Sequence, residues 1–377
     1  MDFRLTPEQQ MLKDSARDFL ADHCSSDFVR QMEQDRRGFT SELWAGMAEL
    51  GWMGLLIPEE YGGIGWGLTE LVVMAEEMGR ACLPGPFLPT TLGALALAQA
   101  GNEAQKQEIL PAVVSGEAVL TLAYLEAGCA VYDPLFQAAT ARKQDGAWLL
   151  EGGKLFVPDA EASHWILLCA RTSGSLRDQE GISLFLAPRA ARGLELRPLK
   201  TIAGDKQFEV SLKEVALPPD ALVGEAGQGW PLLEQLLMTG ALAKCGEMVG
   251  GAAKVLEITA DYAKERVQFG SPIGRFQAVQ HHCANMLMDL ESSRFITRKA
   301  AWSMGQERPN PMLVAAAKAW VSEAYRRVVS LGHQIGAATA YIVEHDMTLF
   351  SRRAKAAELA FGDAAYHYGQ VAQRLGL

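Results

Sequence analysis

The last third of the chain constrains the fold more than any other part of it. Residues 232–264 hold no strong helix breaker apart from small residues, and Pro231 stands where a first helical position tolerates proline. Stretches 276–304, 312–335 and 346–375 follow with only short connections. Helices of such length gain most of their stability from packing against one another. Four of them in series predict an antiparallel bundle.

The first third also reads as helix. Thr6-Pro7-Glu8-Gln9 is a capping box with proline at the first helical position. Met11, Leu12, Ala16, Phe19 and Leu20 recur behind it at helical spacing. A second helix is expected from Thr40 through Leu43, Trp44, Met47 and Leu50, ending at Gly51. Others are expected at 68–80, 91–100 and 103–114. Near residue 120 the apolar period changes from helical to alternating. Residues 148–157 are expected to form a hairpin about Gly152-Gly153, with strands at 165–170, 182–186, 194–197 and 208–215. Pro218, Pro219, Gly224, Gly227 and Gly229 mark the exit from this region. The fold class is therefore α+β, in three domains: an N-terminal helical domain (1–118), a small middle β domain (119–226) and a C-terminal helical bundle (227–377).

Composition narrows the function. Acids outnumber bases 45 to 35, which argues against a nucleic-acid or anionic-membrane surface as the main partner. The cysteines (Cys24, Cys82, Cys129, Cys169, Cys245 and Cys283) are scattered with no metal-ligand spacing, so neither a disulfide framework nor a metal site is expected. No apolar run approaches a membrane span, and MDFRLTPEQQ has neither the basic nor the apolar region of a secretory signal. A soluble cytoplasmic protein is expected.

Three motifs carry a family resemblance. Residues 262–280, Tyr-Ala-Lys-Glu-Arg-Val-Gln-Phe-Gly-Ser-Pro-Ile-Gly-Arg-Phe-Gln-Ala-Val-Gln, resemble the RxQFGxPIxxFQxxQ signature of acyl-CoA dehydrogenases. Residues 57–63, Ile-Pro-Glu-Glu-Tyr-Gly-Gly, are similar to that family's P-E-x-Y-G-G loop. Glu344-His345-Asp346 with Arg352-Arg353-Ala354-Lys355 resembles its E-H-D…R-A-K stretch. The matches are in register across nearly the whole chain. The resemblance implies a flavoprotein of lipid metabolism and β-oxidation, with FAD as cofactor. It would oxidise an acyl-CoA to the trans-2,3-enoyl-CoA and pass electrons to an electron-transfer flavoprotein. A carboxylate takes the α-proton, a very weak acid, so the site must raise the basicity of that carboxylate and stabilise charge on the thioester oxygen.

In the family one subunit's Arg and QFG segment holds the nucleotide end of the FAD seated in its neighbour. Arg266, Gln268, Phe269, Ile273, Phe276 and Gln277 match that donor segment, and arginine suits phosphate. The alternative is a surface arginine beside a core phenylalanine. Gln334 matches the first residue of the family's Gln-x-x-Gly-Gly-x-Gly, but Ala337, Ala338 and Ala340 follow where glycines are expected. The flavin-ring segments differ more. T-E-P-x-x-G-S-D is replaced by Leu-Glu-Ala-Gly-Cys-Ala-Val at 125–131, and W-I-T-N by Phe156-Val157-Pro158-Asp159. Such a chain offers a nucleotide-side half-site and lacks the ring-side hydroxyls. Either a homotetramer uses backbone amides instead, or the chain joins a paralogue in an α2β2 tetramer, the reading favoured. Relatives acting in steroid catabolism assemble in that way.

The family's two positions for the base are filled here by Phe361 and Gly240. Glu247 stands two turns beyond Gly240, roughly 10 Å along the same helix. Gly246, Gly250 and Gly251 flank it and are expected to leave that helical face bare for a bulky acyl chain beside a catalytic Glu247, and steroid-type members of the family are similar in carrying a Glu on this helix away from both usual positions. The competing explanation is helix packing through small residues, with Glu247 at its edge. Three functions follow: an FAD-dependent dehydrogenase of a bulky acyl-CoA, a non-catalytic subunit lending a half-site to a paralogue, or a flavin oxidase or monooxygenase on the same scaffold.

Overall fold

The computed structural model describes residues 4–129 and 131–377. Along the chain run α1 (Pro7–His23), α2 (Ser26–Gln34), α3 (Ser41–Glu49), α4 (Leu68–Arg80), α5 (Phe87–Ala100) and α6 (Glu103–Val114). Then come β1 (Leu120–Ala123), β2 (Thr140–Gln144), β3 (Ala147–Pro158), β4 (Trp165–Arg171), β5 (Ile182–Pro188), β6 (Leu194–Leu199), β7 (Gln207–Leu217) and β8 (Leu222–Val223). The C-terminal part holds α7 (Trp230–Glu265), the short strands β9 (Val267–Gln268) and β10 (Ser271–Pro272), α8 (Gln277–Met304), α9 (Pro311–Gly336), α10 (Asp346–Leu359) and α11 (Ala364–Arg374). The expected α+β order of helices, sheet and helical bundle is present.

The start signals expected at Thr6 and Thr40 are present. Thr6 caps α1 with the reciprocal Gln9 bond, and Thr40 caps α3. Three expectations are corrected. Helix α2 is an addition to the expected elements: it is short, only Cys24 and Ser25 separate it from α1, and Ser25 caps it by accepting from Phe28 N at 3.2 Å. The hairpin is not at Gly152-Gly153 but at Asp145-Gly146, both at positive φ (50° and 83°), where β2 turns into β3. Strand β3 runs unbroken through Gly152, whose φ of 133° absorbs a bulge against β7. Finally, the expected fourth long helix is two, because Phe361 (φ 57°) and Gly362 (φ 93°) turn the chain between α10 and α11.

Contacts divide the molecule into two compact units. One comprises Met32–Trp66 and Pro84–Gly240. Its sheet has the order β6-β7-β3-β2-β4-β5-β8, with β1 pairing parallel to β4. The sheet core gathers Leu150, Ile166, Leu168, Phe185 and Val210, and Trp148 meets Phe185 edge-on at 5.2 Å between centroids. The other unit comprises Met1–Gln31, Gly67–Leu83 and Ala241–Leu377. There α9 packs against α8, α10 and α11, and α4 against α1 and α8. No helix of the described residues is long and apolar enough to cross a membrane.

Candidate active site and cofactor-binding segment

Glu247 sits mid-way along α7, its side chain about a quarter exposed (26%). Lys244, one turn earlier, places Nζ 2.6 Å from Glu247 Oε2. The glycines around it do not leave space. A Cβ on Gly250 would lie 1.7 Å from the Glu76 carbonyl oxygen, and one on Gly246 would lie 2.8 Å from that of Val72. One on Gly251 would lie 2.3 Å from the Tyr325 hydroxyl. These residues exist because α4 crosses α7 backbone to backbone and Tyr325 of α9 fills the adjoining turn. The expected open floor for a bulky substrate is therefore corrected: it is a helix contact.

Tyr325 is buried, and its hydroxyl donates to the Phe350 carbonyl at 3.3 Å. Burial drives its pKa well above the usual range, with the charges of Cys82 and Glu247 adding to the shift against Arg353. Beside the same α4 turn lies a small polar cavity, lined by Arg17, Glu76, Glu77, Arg80, Glu257 and Arg294 among others. Its charges are matched internally. Arg17 binds Glu77, Arg80 binds Glu257, and Lys13 and Arg294 bind Glu76. Burial pushes the Glu76 carboxyl up, but Arg294, Lys13 and Arg298 outweigh it and leave its pKa lowered.

Phe361, at the family's commoner base position, has its carbonyl 2.9 Å from His367 Nε2. Lys318, fully buried, donates to the Glu358 and Gly362 carbonyls at 2.9 and 2.8 Å and holds this turn. Burial pushes Lys318 down to about 8 and His367 down to about 4. Asp363 caps α11 by accepting from Tyr366 N, so the turn offers no free carboxylate there.

The segment after α7 is a small projecting ribbon. Strands β9 and β10 pair Gln268 with Ser271 and Val267 with Pro272, around Phe269 (φ 52°) and Gly270 (φ 79°). Arg266, Gln268 and Gln277 are exposed, Ile273 is half-buried, and no partner for the Arg266 guanidinium is found among the described residues. Phe269 is 94% exposed and meets Phe276 edge-on at 6.1 Å. It is not a core residue. Gln334 is exposed in the last turn of α9. Glu247 and Arg266 lie nineteen residues apart on one line of chain, roughly 28 Å along the helix axis. The ribbon and the carboxylate are thus at separate stations.

Comparison with known proteins decides what these features belong to. The acyl-CoA dehydrogenase N-terminal, middle and C-terminal domain profiles match residues 6–117, 127–215 and 227–376. The probable acyl-CoA dehydrogenase YngJ of Bacillus subtilis is 30% identical over the full length of both chains. The chain belongs to the acyl-CoA dehydrogenase family. Among solved structures, a variant of the Tcur3481-Tcur3483 steroid acyl-CoA dehydrogenase is 30% identical with a TM-score of 0.88, covering 98% of each chain. The ChsE4-ChsE5 complex from Mycobacterium tuberculosis is 25% identical with a TM-score of 0.89, covering 100% of this chain and 99% of that one.

As an acyl-CoA dehydrogenase the protein is an FAD-dependent oxidoreductase of CH–CH bonds in acyl-CoA. Its residues fit the nucleotide end of that cofactor. An unpaired arginine and a fully presented aromatic ring stand on one ribbon, and Ala337 keeps φ 48° and ψ −140°, a glycine-type conformation at the position where the family has glycine. The ring-side residues fit less well. In the 125–131 segment, of which Ala130 lies outside the described residues, Glu126 is buried against Lys154 and accepts from the Ala138 and Ala139 amides at 2.7 and 3.1 Å. Phe156 is exposed, and the neighbouring Thr121 hydroxyl is spent on the Pro158 carbonyl. The side-chain hydroxyls of the family's ring segments have no counterpart there. What the sequence did not reveal is Lys244. A Lys three residues before a Glu on a helix was the available signal.

Proposed function

We propose that this chain is a cytoplasmic acyl-CoA dehydrogenase subunit that oxidises a bulky or steroid-like acyl-CoA to the trans-2,3-enoyl-CoA, with Glu247 as the base. One observation carries the assignment. Both usual base positions hold residues that cannot take a proton, Phe361 and Gly240, while Glu247 offers Oε1 with no hydrogen-bond partner among the described residues. Glu247 takes the α-proton at that oxygen. Bound FAD supplies the acceptor for the hydride leaving the β-carbon. Arg266 would hold its pyrophosphate, Phe269 and Phe276 would flank its nucleotide end, and Gln268, Ile273, Gln277 and Gln334 would complete the half-site for a neighbouring subunit.

The steroid-like substrate draws support from the steroid acyl-CoA dehydrogenase among the similar structures, no longer from the α7 glycines. An α2β2 tetramer with a paralogue, discharging to an electron-transfer flavoprotein, is favoured by the ring-side losses in the middle domain (119–226), against an intact donor ribbon in the bundle domain (227–377). The same losses favour a second reading, a non-catalytic subunit lending its half-site.

The test is Glu247→Gln in the assembled complex. Unchanged flavin absorbance with turnover reduced at least about 100-fold supports the reading; unchanged turnover transfers the chemistry to the partner. Yellow protein from this chain purified alone would favour the homotetramer.

A further inference from the structure

We propose that Lys244 is the positioning residue of the base: it pins one oxygen of Glu247 and so presents the other to the substrate. The inference rests on Glu247 being that base. The backbone beneath Glu247 is closely packed, with α4 against it at Gly79 and Gly246. What remains free is the side chain, with its three rotatable bonds. Lys244 removes that freedom. Its Nζ lies 2.6 Å from Oε2, leaving Oε1 without a hydrogen-bond partner among the described residues.

Three neighbouring cations of this unit are committed elsewhere. Arg80 binds Glu257, Arg294 binds Glu76 and Glu291, and Lys318 binds the Glu358 and Gly362 carbonyls. The hydroxyl of Tyr325 donates to Phe350. Nor is the pair explained as a helix stabiliser. Both partners are about a quarter exposed (25% and 26%), and lysine ahead of glutamate is the weaker order on a helix.

The arrangement acts by fixing the oxygen, and small displacements of a reacting group cost large factors in rate. In the step itself the α-proton passes to Oε1, the C–H electron pair remains on the thioester as its enolate, and Lys244 keeps all its protons against Oε2.

The step can be watched without oxidation. An acyl-CoA with sulfur in place of the β-carbon keeps its α-protons but has no hydride to lose. Its α-proton exchange in D2O, followed by NMR with the assembled holoenzyme, reports proton abstraction alone. Lys244→Met should slow exchange about tenfold, leave thioester affinity within about twofold and leave the melting temperature unchanged. Lys244→Arg should restore most of the rate. Exchange at the wild-type rate in Lys244→Met, or equal loss in Lys244→Arg, overturns the proposal while Glu247→Gln remains inactive. Normal exchange in Glu247→Gln instead removes the base assignment, and this inference with it.

Discussion

A Cβ placed on Gly79 would lie 1.9 Å from the carbonyl oxygen of Glu247 and 2.4 Å from its Cα. The backbones of α4 and α7 therefore meet at the residue proposed as base. Side chains at positions 79, 246 and 250 are absent so that this crossing can be close, and the closeness holds the Glu247 backbone in place. The cost of each helical glycine, about 1 kcal/mol relative to alanine, is offset by contact along the whole crossing.

The surroundings of two helical glycines, one at that crossing and one away from it, predict opposite signs for their substitution. Gly250→Ala drives a methyl to 1.7 Å from the Glu76 carbonyl oxygen, a backbone atom that cannot yield cheaply. Destabilisation of about 3 kcal/mol or more is expected. Gly369→Ala, within α11 and with nothing within 4 Å of the new methyl, should stabilise by about 0.5–1 kcal/mol through helix propensity. Thermal melting of the two variants checks both. Equal effects would remove the close crossing.

Ala337 holds a backbone that suits glycine, at φ 48° and ψ −140°. Such strain costs on the order of 1–3 kcal/mol. Ala337→Gly should raise stability by about 1 kcal/mol, after allowing for the greater freedom of glycine in the unfolded chain. A lower melting temperature in that variant would show that the methyl is packed rather than strained.

His367 links pH to stability. Burial pushes its pKa down to about 4, from an ordinary 6.5. Its contribution is therefore fully present above about pH 6.5 and is lost as pH falls towards 4, because only the unfolded chain gains the proton over that window. The difference amounts to on the order of 3 kcal/mol. Melting temperature followed from pH 7 to 4 should fall more steeply for the wild type than for His367→Gln, which keeps a donor for the Phe361 carbonyl. Parallel curves would contradict the prediction.

Lys154 and Glu126 form a buried pair, with side chains 0% and 4% exposed. Lys154→Met strands the carboxylate and should cost about 3–5 kcal/mol. Adding Glu126→Gln to Lys154→Met should recover a large part of that loss, since neither charge then remains. Denaturant midpoints of the single and double variants test this. A double variant as unstable as the single one would show that packing, rather than charge, governs the site.

Much of the molecule could be read from residues alone, for identifiable reasons. Thr6 with Gln9, and Thr40, announced helix starts because capping is a local bond between near neighbours. The 262–280 signature pointed to the family because its residues lie in one short run of chain and need no tertiary contact to be recognised. The hairpin was misplaced because two glycines in a strand look like a turn, whereas Asp145-Gly146 supplies the two positive φ angles that a tight turn needs. The break at Phe361-Gly362 was missed because a phenylalanine at positive φ is held there by bonds from Lys318 and His367, both outside the local pattern of the turn.

Sequence by itself determined the order of helices and strands, the family and the residue types available for catalysis, since these depend on periodicity, caps and motif chemistry within short windows. Only the tertiary structure decided what the glycines beside Glu247 are for. A bare helical face is space or contact depending on what lies against it. Here a helix from far upstream fills it, and no local pattern encodes that neighbour.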